Sequence, residues 1–95
     1  MNYIQKAKEE LSKKIDVENE LLNLYTLLVF SKAGEATLED IHDAWSIWRN
    51  ETKPDHKSLV PFSELTLEVQ EMDREYTEAI NSTYYNLSTP LTSMK

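Results

Sequence analysis

The most constraining feature of this chain is a single apolar stripe. Val69, Met72, Tyr76, Ala79, Ile80, Thr83, Tyr84 and Leu87 recur at steps of three and four residues, the period of one face of an α-helix. Thr66 can cap such a helix and Glu68 sits in its first turn, where negative charge suits the dipole. Glu68, Glu71, Arg74, Glu75 and Glu78 point away from the stripe, and Asp73 lies on its flank. Ser88-Thr89-Pro90 is expected to stop the helix near residue 87, leaving a mobile tail to Lys95.

A one-sided helix needs covering elements, and the rest of the sequence offers three. Ile4, Ala7, Leu11 and Ile15 make a short amphipathic stripe. Asp16 can cap a second helix, whose residues from Leu21 to Phe30 are apolar nearly all round and must therefore be covered on more than one side. Gly34, the only glycine in 95 residues, stands where a left-handed cap is cheapest. Thr37 opens a third helix, with Asp40 three residues on as a weak capping box. Leu38, Ile41, Trp45 and Trp48 share one arc of that helix, and His42 and Arg49 lie on its flank as boundary residues. No alternating strand appears. The expectation is an all-α, small compact bundle of about four helices, approximately 3–14, 17–33, 38–50 and 66–87, with an irregular 51–65 connection, in one domain covering 1–95.

Composition narrows the function classes. The chain has no Cys and two His, 42 and 56, with no Cys-rich, H-E-x-x-H or E-x-x-H spacing, so no metal site is expected. One glycine cannot build a phosphate-binding loop, and no nucleophile elbow occurs. We expect no enzyme activity and no cofactor. A net charge of −7 argues against sequence-independent nucleic-acid binding. The apolar run Leu21 to Ala33 is too short and too interrupted to span a membrane. The protein is expected to be cytoplasmic, and the N-x-S/T triplets at Asn50, Asn81 and Asn86 are read as chance matches.

One neighbourhood departs from the acidic background. His42, Trp45, Trp48 and Arg49 cluster on the third helix, and Lys53, His56 and Lys57 follow in the connection. Indole faces stack on planar rings, while Arg and Lys hold phosphate or carboxylate through charge-assisted hydrogen bonds. These seven residues are the candidate ligand-binding set. The plainer reading is that Trp45 and His42 are packed and that Arg49 pairs with Asp73 to fix how two helices dock.

At these residues the sequence resembles the ryanodine-receptor-type repeat domain. His42, Asp43, Trp45 and Arg49 fill an H-D-x-W-x-x-x-R block. His56, Leu59, Val60, Pro61, Phe62 and Leu65 fill H-x-x-L-V-P-[YF]-x-x-L, and Asp73-Arg74 a closing D-R pair. The resemblance covers about 38–80 and leaves 1–36 as additional helices. It implies a binding module, with Asp43, Pro61, Phe62 and Asp73 as structural positions. By analogy it also implies a phage anti-defence sponge that sequesters a nucleotide-derived signal, of cyclic-nucleotide or ADP-ribose type, in the host cytoplasm.

Two other readings stand beside this one. In the first, the chain is a protein-interaction or structural adaptor whose motif block only stabilises the fold. In the second, acidic residues 68, 71, 75 and 78 mimic nucleic-acid phosphates, although Arg74 interrupts the row. The girth of the second helix, which four short helices cannot fully cover, and the advantage of enclosing a ligand between two subunits both lead us to expect a homo-oligomer.

Overall fold

A computed structural model describes residues 1–93, with side chains to residue 87. Four long helices make the bundle: α1 (Tyr3–Ser12), α2 (Asn19–Lys32), α3 (Leu38–Thr52) and α5 (Arg74–Ser93). A 3-10 turn at Phe62–Glu64 and the short α4 (Leu67–Glu71) lead into α5. No strand occurs among the described residues. The expected all-α class and the four-helix bundle are what the structure shows, with differences at the ends of the helices.

Local chemistry accounts for most helix starts. Thr37 and Asp40 form a full capping box: the Asp40 N–H donates to Thr37 Oγ1 at 3.2 Å and the Thr37 N–H to Asp40 Oδ2 at 2.9 Å. Asn2 and Gln5 do the same for α1, a pair the sequence reading passed over. Asp16 is not the cap of α2. That helix begins at Asn19 with Glu18 as its N-cap residue and no side-chain cap bond. At its other end the left-handed turn starts one residue early, on Ala33 (φ 49°), and continues through Gly34 (φ 88°).

The expected 66–87 helix is broken. Thr66 caps α4, accepting from the Val69 N–H at 3.2 Å. The Met72 N–H then reaches back only three residues, to the Val69 carbonyl at 3.1 Å, and the Asp73 N–H likewise to Gln70 at 3.3 Å. These tighter bonds shift the chain before α5 begins. Met72, read from its spacing as a core position, is therefore turned out and is 69% exposed. Beyond the break the stripe behaves as expected: Ala79, Ile80 and Thr83 are buried. Helix α5 runs on to Ser93, past the anticipated stop at Ser88-Thr89-Pro90. The end of the tail, Met94 and Lys95, lies outside the described residues.

The core gathers Leu11, Ile15, Leu21, Tyr25, Val29, Ile41 and Ile80 from all four long helices and the α1–α2 connection. Two polar ties hold elements in place around it. The Asn81 side chain on α5 accepts from the Ala36 N–H at 2.9 Å and donates to the Ala36 carbonyl at 3.0 Å, clamping the α2–α3 turn. The Gln70 amide donates to the carbonyls of Phe62 and Leu65, at 3.0 and 3.2 Å, and braces the 3-10 turn.

Candidate functional site

The site grows from α3. Its capping box fixes the start of the helix, so the inward arc carrying Ile41 also brings His42, Trp45, Trp48 and Arg49 to one side. His42 is 3% exposed and so is core, not the boundary residue its position suggested. Its Nε2–H donates to the Val60 carbonyl at 2.7 Å, and its ring stacks on Trp45 with centroids 5.7 Å apart. The connection after α3 thus folds back over the helix. His56 meets Trp45 edge-on at 5.1 Å, while its Nδ1 accepts from the Ser58 N–H at 3.0 Å.

Arg49 occupies the centre of this neighbourhood. Its guanidinium carbon lies 4.3 Å from the Trp48 ring centroid and 5.9 Å from that of Trp45, close enough for cation–π attraction. Nη1 donates to Thr52 Oγ1 at 3.3 Å. Its Nε is buried and has no hydrogen-bond partner, which is unusual for so strong a donor. Among the described residues Arg49 and Asp73 form no ion pair, so the docking contact considered from the sequence is not made.

These groups open onto a cleft of about 1200 Å³ between α3, the 51–65 connection, the α4–α5 junction and the start of α2. Six of the seven candidate binding residues line it: His42, Trp45, Trp48, Arg49, His56 and Lys57. Lys53, the exposed C-cap residue of α3, does not. Of the four positions assigned structural roles, Asp73 lines the cleft. Phe62 is half-buried with its ring 6.2 Å from that of His42, and Asp43 and Pro61 are exposed on another side.

The far wall was not anticipated. Leu21, Tyr25 and Tyr76 extend the apolar surface, and Asp16, Glu18, Glu71, Glu75 and Glu78 put carboxylates around the rim. The Arg74 guanidinium holds Glu71 in a two-point pair at 2.7 and 3.0 Å, which keeps that carboxyl below the usual range. Burial pushes the Asp73 carboxyl up, against the pull of nearby His42. Burial, followed by the adjacent Asp73 charge, pushes the Tyr25 phenol up as well. Glu71, Glu75 and Glu78 stay exposed, as their patterning implies, and border the cleft together with Asp16 and Glu18 from the α1–α2 connection.

A second, smaller depression lies between α1 and α2, lined by Tyr3, Ile4, Leu27 and Phe30 among others. Tyr3 is 71% and Leu27 61% exposed. It sits on the opposite side of α2 from Leu21 and Tyr25, which face the cleft. Among the described residues no grouping of three or more His, Asp or Glu side chains is placed to hold a metal ion, and no helix is long and apolar enough to cross a membrane.

Comparison with known proteins corrects the resemblance drawn from the motif blocks. The family model that matches is described as a "Domain of unknown function (DUF7701)" and covers residues 2–85, with the N-terminal helices included, whereas no ryanodine-receptor-type repeat is found. The H-D-x-W-x-x-x-R and L-V-P-F blocks therefore do not make this chain a member of that repeat family. The phage sponge, which rested on that analogy alone, loses its warrant. No curated protein and no solved structure gives a significant match.

Proposed function

We propose, for a chain that belongs to the DUF7701 family, a non-enzymatic role as a small-molecule binding module whose ligand is a nucleotide-like molecule, flat and anionic. The observation that carries the reading is Arg49: a guanidinium stacked on an indole, with a buried, unpartnered Nε, at the wall of a cleft of about 1200 Å³. Small-molecule sites are commonly concave, with apolar walls and convergent polar groups, and this cleft has aromatic and aliphatic walls with charged groups around them. Trp45 or Trp48 would stack on the ring, and Arg49 with Lys57 would meet its anionic group.

Calorimetry of the full chain against nucleoside monophosphates tests this, with quenching of Trp45 and Trp48 fluorescence as a second readout. Saturable binding is expected, lost in Arg49→Ala and weakened about tenfold in Lys57→Ala, the loss of one charge-assisted contact. Lys53→Ala, outside the cleft, should bind like the parent. A folded protein that binds none of the panel discards the reading.

The adaptor reading retains one supporting observation, the His42–Val60 bond that staples the connection to α3. Under it Arg49→Ala would lower the melting temperature and no ligand would raise it. The exposed Tyr3, Ile4 and Leu27 support a further element of the proposal, a homodimer formed through the α1–α2 face. Such a contact lies behind the cleft and would not close it.

A further inference from the structure

The cleft holds a second polar group with unmet hydrogen-bonding capacity. Asp73 is half-buried where the chain breaks between α4 and α5. Its carboxylate takes part in no hydrogen bond or ion pair among the described residues. Arg74, next to it, is committed to Glu71, and Arg49 does not reach it. The cleft therefore presents the Arg49 guanidinium, whose Nε is buried without a hydrogen-bond partner, and an unpaired acceptor, Asp73, among lining residues that include Tyr25, Trp45, Trp48 and Tyr76.

A ligand that meets both the Arg49 guanidinium and the Asp73 carboxylate carries an anionic group or acceptor at one end and N–H donors along the edge of a flat ring. An adenine ring offers a carboxylate one amino group beside an acceptor nitrogen. A guanine ring offers two adjacent donors, the ring N1–H and the exocyclic amine, which match the two oxygens of a carboxylate. Asp16, Glu18, Glu75 and Glu78 favour a donor-rich edge, and Arg49 and Lys57 are the lining cations left for phosphate.

We propose that the cleft selects a guanine-type purine monophosphate, with the two N–H donors of the base on the Asp73 carboxylate and the phosphoryl group toward Arg49 and Lys57. The proposal rests on the binding role above and adds the identity of the ring. Burial that raises the Asp73 carboxyl is consistent with it, since a partly desolvated carboxylate gains more from two donors than a fully solvated one.

The experiment compares GMP, IMP and AMP by calorimetry on the full chain. IMP keeps the N1–H and lacks the 2-amino group. Affinity should fall in the order GMP, IMP, AMP, by about tenfold at each step, as a polar edge is left unpaired. Asp73→Asn should reduce GMP affinity about tenfold and leave AMP unchanged. The ligand series needs no variant, so the order stands as a test even where Asp73→Asn does not fold. Equal binding of the three overturns the guanine assignment and leaves the binding module intact. The expected order with no effect of Asp73→Asn, in a folded variant, overturns the role of Asp73. No binding of any of the three overturns the binding role itself.

Discussion

Asp73 shows how a side chain can carry a cost within the free protein. Its carboxyl is raised by burial in the folded state, so the folded chain holds that proton more tightly than the unfolded chain. Stability contributed by this group therefore falls as pH rises from the ordinary carboxyl range through the raised value, then stays level. Asp73→Asn removes the penalty. Thermal melts should show the variant more stable than the parent at pH 7, with the difference shrinking toward zero below the ordinary carboxyl range. A variant less stable than the parent at pH 7 would mean that the carboxylate has a stabilising partner. Residue-scale reading of the sequence reached the aromatic and basic half of the site because His42, Trp45, Trp48 and Arg49 lie within one short stretch. It placed His42 at a boundary because the Val60 carbonyl that covers the ring comes from an irregular connection whose path no periodicity encodes.

At the scale of elements, turn chemistry and periodicity were legible and docking was not. The Thr37–Asp40 pair announces α3 in four residues, and Thr66 announces α4. The break at 72–73 has no glycine or proline to mark it; it follows from backbone bonds that shorten by one residue and from the Gln70 brace on the 3-10 turn. The acidic rim draws on the α1–α2 connection, the α4–α5 junction and α5, and how these elements dock is not encoded in any one element's periodicity, which is why half of the site could not be read in advance. The Asn81 clamp was likewise invisible, since its partner is main chain 45 residues away. Asn81→Ala leaves the Ala36 N–H and carbonyl without that partner and should destabilise the protein by about 1–3 kcal/mol. Chemical denaturation should show the loss as a lower midpoint with an unchanged slope.

The whole molecule is organised around α2, whose nearly continuous apolar surface was plain in the sequence and is only partly covered by its neighbours. One side, with Leu21 and Tyr25, forms part of the cleft wall, and the other leaves Leu27 and Phe30 beside Tyr3 and Ile4. If the latter face pairs two chains, Leu27→Lys should convert dimer to monomer by light scattering coupled to size exclusion, while ligand affinity stays within about twofold, since distant independent sites add. A monomeric parent protein removes the dimer from the account.

The back-to-back arrangement on α2 has a further consequence for how such a dimer would respond to its guest. Two mouths directed outward share no wall, so each chain would fill on its own, with a stoichiometry of one per chain and a Hill coefficient of one.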